Sequence, residues 1–310
     1  MYLFTRQTYK NPPDFYVTDA AFANPARITN LAAGTEQFLW SSGVMLVDYE
    51  SDKGQKLQGA LFLPANYEKG KTYPMVLNVY EEQSANLHSY TRLLRPNPTQ
   101  LNKTMYTSQG YAVFFPDITY TINDPGMSAV WCIVPAVKAA IATGVVDPKR
   151  VGIMGHSWGG YQTSFLLTQT GIFAAAVASA PITDFISMYN LISKASGAAN
   201  GPVAESNQGR LPLGPWDNLA AYTRNSPVLF AKKVKTPLLM LHNDRGGAVD
   251  FTQGLELFNA LRRLQKPVVM LQYAGEAHGL AKRANGKDFM LRVQEFFDHY
   301  LMGKPMPKWY

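Results

Sequence analysis

The chemistry in this sequence begins with Ser157, which lies in Gly155-His156-Ser157-Trp158-Gly159, a G-x-S-x-G pattern. A serine hydroxyl is a weak nucleophile until it is held clear of its surroundings, within reach of a base and at the positive end of a helix. Arg150-Val151-Gly152-Ile153-Met154 reads as a short buried strand, and Tyr161-Gln162-Thr163-Ser164-Phe165-Leu166-Leu167 carries helical spacing of apolar residues. The serine therefore falls on a strand, a sharp turn and a helix, the setting of a nucleophile elbow. Gly155, Gly159 and Gly160 suit such a turn, where side chains would collide with the neighbouring strand or block a substrate. In isolation the same residues would make an ordinary tight turn, and it is the flanking strand and helix that point to catalysis.

A serine nucleophile needs a base, and Gly275-Glu276-Ala277-His278-Gly279 offers one. This stretch follows the last strand and comes after the serine in chain order, as an α/β-hydrolase requires. With an ordinary pKa of ~6.5, His278 can take the serine proton and return it to a leaving group near neutral pH. The alternative is a surface loop histidine. Of the other histidines, His88 and His299 have no such setting, His156 adjoins the serine on a turn that points it elsewhere, and His242 ends a strand. The loop from Leu241 to Asp250 follows the penultimate strand and is where an acid should fall.

These groups need a frame to hold them. At 310 residues, with 46% hydrophobic and 16% charged, the chain can bury one large α/β core, or a core plus a small accessory piece. The net charge of +7 does not read as a nucleic-acid footprint, because Lys and Arg are scattered, with no run longer than Lys232-Lys233 or Arg262-Arg263. No nucleic-acid or membrane partner is expected. The single cysteine, Cys132, reads as a small core residue, and no Cys/His spacing suggests a metal or cofactor. No stretch reads as a signal peptide or a transmembrane segment, and nothing assigns a compartment or an oligomeric state.

Along the chain, Tyr2-Leu3-Phe4-Thr5 and Asp14-Phe15-Tyr16-Val17-Thr18 read as short strands split by Asn11-Pro12-Pro13, a β-rich appendage over residues 1–42. Residues 43–310 then alternate strands and helices. The strands are Val44 to Asp48, Leu57 to Leu63, Met75 to Tyr80, Tyr111 to Phe115, Ala174 to Ala178, Pro237 to Leu241 and Val268 to Leu271. The helices are Met127 to Ala142, Phe251 to Leu264 and Phe289 to Leu301, with Pro135 kinking the first or marking a late start. A turn is expected at Val146-Asp147-Pro148-Lys149. Such alternation implies a mostly parallel sheet with its site at the strands' C-terminal ends.

Taken together, Gly155-His156-Ser157-Trp158-Gly159-Gly160-Tyr161, Asn225-Ser226-Pro227, Thr236-Pro237-Leu238-Leu239-Met240-Leu241-His242 and Gly275-Glu276-Ala277-His278-Gly279 resemble the catalytic domain of the prolyl oligopeptidase family, near its dipeptidyl-peptidase and acylaminoacyl-peptidase branches. The resemblance runs from about Gly43 to the C-terminus. It implies that residues 1–42 are the remnant of an N-terminal β-propeller. It also implies an oxyanion hole made by the Tyr80 hydroxyl and the backbone N–H of Trp158; otherwise Tyr80 is an aromatic strand-end residue of the core. Glu81-Glu82-Gln83 replace the small residues of many relatives, and these acids either attract a cationic substrate group or are simply solvated. The insertion between Pro181 and Pro227 resembles the family's substrate-pocket segment, making Phe185, Met188, Tyr189 and Trp216 either pocket walls or lid packing.

The departure lies in the acid. The family pattern His-x-x-x-Asp-x-x-Val, counted from His242 to Val249, places Gly246 at the aspartate. Asp244 is the expected substitute, with Gly246-Gly247 letting it swing toward His278. Its alternative is an Asx-turn brace, and Asp250 reads with Gln253 as a capping box. The expectation is a serine hydrolase of small esters or peptides, acting through an acyl-enzyme on Ser157 with ester cleavage the easier activity. The rival is a binding or assembly domain that kept the fold.

Overall fold

The computed structural model describes residues 1–92 and 101–310. Strands β1 (Tyr2–Arg6), β2 (Asp14–Thr18) and β3 (Ala26–Arg27) form a small antiparallel sheet separate from the main one. Strands β4 (Val44–Glu50), β5 (Lys56–Phe62), β6 (Tyr73–Asn78), β7 (Ala112–Pro116), β8 (Val146–His156), β9 (Ala175–Ser179), β10 (Leu238–Leu241) and β11 (Val268–Leu271) make the main sheet, in the order β11-β10-β9-β8-β6-β7-β5-β4. Pairing is parallel from β7 to β11 and antiparallel only where β5 meets β4 and β7.

Helices cover both faces, because strands buried on both sides have no polar face to offer water. One face carries α2 (Pro125–Ala142), α3 (Trp158–Gln169) and α7 (Phe251–Arg263); the other carries α1 (Lys103–Ser108) and α8 (Arg283–Met302). Along β8, Val151 and Ile153 enter the first core and Met154 the second, the alternation a strand imposes. A third cluster sits over the elbow, where α4 (Phe185–Tyr189), α5 (Gly201–Glu205) and α6 (Leu219–Arg224) fold the insertion after β9 into a lid.

Local expectations fail in three places, each with a physical reason. The turn at residues 146–149 is a bulge within β8: Tyr73 pairs with Val146 and Met75 already with Val151, while Asp147 accepts from Lys149 N–H at 2.9 Å and Arg150 Nε at 2.7 Å. Helix α8 begins at Arg283, ahead of its first apolar contact at Phe289, so periodicity missed its polar first turns. Helix α2 starts at Pro125 and runs through Pro135 without a late start. A proline removes the N–H that would bond the carbonyl four residues earlier. Here that carbonyl, of Trp131, instead accepts from the Asp52 backbone N–H at 2.8 Å.

Since Trp131 O already has a donor, Pro135→Ala should change stability by less than about 1 kcal/mol, well short of the ~3 kcal/mol typical of an interior helical proline. Urea midpoints of the two proteins check this, and a gain near 3 kcal/mol would show α2 to be strained.

Candidate active site

Strand β8 ends at His156, α3 begins at Trp158, and Ser157 between them adopts φ 59° and ψ −115°. That backbone is sparsely populated for a residue with a side chain and persists only when its surroundings dictate it. Ser157 N–H donates to Ser179 O at 2.8 Å and Tyr161 N–H to Ser157 O at 3.0 Å. A Cβ on Gly159 would stand 2.2 Å from Val79 O, and one on Gly160 2.5 Å from Ser179 O, so only glycine lets α3 seat against β6 and β9.

The half-buried His278 faces the serine, with Nε2 and Ser157 Oγ 2.8 Å apart. Its loop is held by two buried side chains that do not stand out in the sequence. Asn243 donates from Nδ2 to Ala277 O at 3.0 Å and Gly279 O at 3.4 Å, and accepts from Tyr273 N–H at 3.1 Å. Glu276 accepts from the N–H groups of Ala281 and Lys282 at 2.9 and 3.0 Å and from Asn285 Nδ2 at 2.6 Å. Gly247 touches the same loop so closely that a Cβ there would lie 2.8 Å from His278 Cβ.

Among the described residues no carboxylate completes the arrangement. His278 Nδ1 is buried and has no partner among the described residues. Asp244, expected as the acid, does not reach it: the residue is exposed and accepts from Gly275 N–H at 2.9 Å, bracing the histidine loop from outside. Asp250 is also committed elsewhere, capping α7 through Thr252 N–H at 2.9 Å and pairing with Lys194 at 2.8 Å. Its expected partner in a capping box, Gln253, turns instead to Thr183 and Asp184, accepting both N–H groups at 3.0 Å. Gly246 has φ +61°, a left-handed conformation that aspartate tolerates better than most residues. A Cβ built there meets nothing closer than Lys194 Cδ at 3.4 Å.

Burial holds the His278 pKa below its ordinary value, and no neighbouring anion raises it. His156 does not point away as its turn suggested. Its ring lies 4.7 Å from that of His278, and burial, helped by repulsion from His278 and His242, lowers its pKa to about 3. His242 is lowered to about 4, again chiefly by burial. Both are neutral at pH 7, so neither adds a charge against an imidazolium on His278. Among the described residues no group of three His, Cys, Asp or Glu is placed to hold a metal ion.

Trp158 opens α3, so its N–H is among the first four that no helical carbonyl can accept. Tyr80 follows β6 closely, its ring beside Gly159, and its hydroxyl accepts from Gln208 Nε2 at 3.1 Å, which leaves the phenolic proton free to donate. A polar network the sequence did not reveal anchors its backbone. Tyr120 donates to Tyr80 O at 3.0 Å and accepts from Trp158 Nε1 at 2.9 Å, and Gln162 reaches both Tyr80 O and the Tyr120 hydroxyl. Of the residues expected in the pocket, Phe185 and Met188 are fully buried in the lid's own cluster with Trp158 and Tyr222. Tyr189 is half-buried, and Trp216, 75% exposed, meets it edge-on at 5.5 Å.

A strained serine at the end of a central parallel strand, faced by a histidine from the loop after the last strand, defines the class as an α/β-hydrolase. The comparisons with known proteins narrow it. The prolyl oligopeptidase family of peptidases matches residues 126–304, more than half of the chain, and the chain belongs to that family. It is 27% identical over 264 residues to the uncharacterized peptidase YuxL of Bacillus subtilis, covering 82% of this chain and 39% of that protein. It is 26% identical over 260 residues to bovine (Bos taurus) dipeptidyl peptidase 4, covering 81% and 32%. The chain therefore spans 32 to 39% of the length of these relatives. Among solved structures, the acylaminoacyl peptidase of Pyrococcus horikoshii superposes with a TM-score of 0.78 at 20% identity, covering 96% of this chain and 48% of that one.

With the acid position empty, Gly246→Asp should raise kcat on an activated ester by about 10²-fold or more, given that a missing triad carboxylate costs around 10⁴-fold elsewhere. Asp244→Asn should be nearly silent. Initial rates of the two variants check both; a collapse of activity in Asp244→Asn with no gain in Gly246→Asp would return Asp244 to the site.

Proposed function

We propose that this chain is a serine hydrolase that cleaves ester bonds, and peptide bonds more slowly, through an acyl-enzyme on Ser157. The observation that carries the proposal is the 2.8 Å approach of His278 Nε2 to the Oγ of a serine held in a strained elbow. Ser157 Oγ attacks the substrate carbonyl carbon as its proton passes to His278 Nε2. The developing oxyanion accepts from Trp158 N–H and the Tyr80 hydroxyl, donors worth about 2.7 to 4 kcal/mol apiece in such sites. Collapse expels the leaving group, which takes the proton from His278, and water then repeats the sequence on the acyl-enzyme.

The preference for esters follows from the bare Nδ1 of His278. An amine leaves only if imidazolium protonates it, whereas an activated alkoxide or phenoxide leaves with little help. Lack of a carboxylate to stabilise imidazolium therefore penalises amides most. The same bare nitrogen favours a second reading, a weakly catalytic homologue retained for binding. The small sheet of β1 to β3, within residues 1–42, fits the end of a neighbouring β domain, as the family resemblance implies.

A small fluorophosphonate should label Ser157 stoichiometrically and leave Ser157→Ala unmodified. Tyr80→Phe should lower kcat on an ester by roughly 10²-fold with little change in KM, because the oxyanion bond strengthens in the transition state. Intact mass without an adduct on the wild type would favour the binding reading, and an unchanged kcat would return Tyr80 to a packing role.

A further inference from the structure

A pocket of about 300 Å³ adjoins the elbow, lined by Asn78, Tyr80, Glu82, Gln83, Asn86 and His156. Two of these, Tyr80 and His156, flank Ser157, so whatever fills the pocket lies within reach of the reacting carbonyl. The lining is mixed, and the hydrogen bonding of its polar part is incomplete in one direction. The Gln83 side chain is 7% exposed and its Oε1 accepts from Asn78 Nδ2 at 3.1 Å, which fixes the amide with Nε2 turned away from Asn78. That Nε2 is a buried donor with no acceptor among the described residues. A buried donor left without an acceptor is unfavourable, and a ligand carbonyl in the pocket would satisfy it.

The charge of the pocket has a definite sign. Glu81 is neutralised by Arg210 at 3.1 Å, whose guanidinium also lies over the Tyr120 ring at 3.8 Å. Glu82 next to it is exposed and has no ion-pair or hydrogen-bond partner among the described residues. His156 is neutral at pH 7, its pKa lowered to about 3 mainly by burial, so it contributes no opposing charge. Asp117 fixes the turn that presents Glu82 and Gln83, accepting from Gln83 N–H at 2.6 Å, Ser84 N–H at 2.7 Å and Ser84 Oγ at 2.6 Å. Beyond Glu82 an open groove of about 900 Å³ continues past Asp48, Glu50 and Asp117 with Lys56 as its one lining cation. A chain of net charge +7 thus presents an anionic path into its site.

We propose that this pocket is a substrate subsite for a cationic side chain next to an amide, the cation facing the Glu82 carboxylate and the amide carbonyl accepting from Gln83 Nε2. The proposal rests on Ser157 being the nucleophile only for the claim that the bound group belongs to a substrate. Recognition by charge is additive to catalysis, since Glu82 contacts neither Ser157 nor His278, and being exposed its pull weakens as salt rises.

Nα-acetylargininamide and its neutral isostere Nα-acetylcitrullinamide separate charge from shape, and their equilibrium binding to the whole chain is measurable by calorimetry without turnover. Nα-acetylargininamide should bind about 3- to 10-fold more tightly at low ionic strength, with the preference shrinking at high salt. The ratio should fall to about 1 in Glu82→Gln, while Glu68→Gln, at a surface pair with Lys71, leaves it unchanged. Gln83→Met should weaken both amides alike by removing the buried donor. Equal affinities in the wild type, or an arginine preference that survives Glu82→Gln, would overturn the subsite. Fluorophosphonate labelling of the same preparations reads the hydrolase proposal separately: an arginine preference without labelling keeps the pocket and removes the nucleophile, and labelling without the preference does the reverse.

Discussion

The backbone of Ser157 is the constraint to which the surrounding structure answers. Holding a side-chain-bearing residue at φ 59° and ψ −115° costs about 1–3 kcal/mol, and three elements must close on it at once to keep it there. Strand β9 supplies the acceptor for its N–H, the carbonyl of Val79 rests on Gly159, and Trp158 and Tyr161 root α3 in the lid cluster with Phe185 and Tyr222. Burial of each such aromatic contributes about 1.5–3 kcal/mol, enough to offset the strain several times over. The lid is thus part of what holds Ser157 up, which accounts for Phe185 and Met188 being interior.

The histidine is positioned by different means from the serine. A carboxylate at Nδ1 would both orient an imidazole and stabilise its charged form. Here orientation comes from loop packing: Asn243 grips the carbonyls on either side of His278, Glu276 ties down the chain beyond it, and Gly247 presses against its Cβ. His156 adds a ring surface at 4.7 Å. None of these places an anion at Nδ1, the Glu276 carboxylate being taken up by Ala281, Lys282 and Asn285, so orientation is retained while stabilisation of the imidazolium is not. The left-handed Gly246, open to a Cβ, shows that the backbone around the site still has room for the residue that would provide it.

Much of this was legible in the sequence because it depended on period and order. The G-x-S-x-G pattern between an apolar strand and a helical repeat gave the elbow, and the place of His278 after the last strand gave its partner. Counting from His242 to Val249 put glycine at the acid position, yet the fate of Asp244 was not legible. Its carboxylate goes to a backbone N–H on a loop that is a neighbour only in space. Pro135 misled for a related reason, since the donor that satisfies Trp131 O comes from the distant Asp52. The network of Tyr120, Gln162 and Gln208 around Tyr80 has no sequence period at all.

Among the described residues His278 faces Ser157 with no carboxylate behind it, and titration of that one imidazole, followed by ¹⁵N NMR of the whole chain, reads this directly. The account predicts a His278 pKa below 6.5, set by burial with no compensating anion, and an Nδ1 nitrogen free of any strongly deshielded, hydrogen-bonded proton. A pKa at or above 6.5, accompanied by a deshielded Nδ1 proton that disappears in Asp244→Asn or Asp250→Asn, would contradict it and place an aspartate behind the histidine.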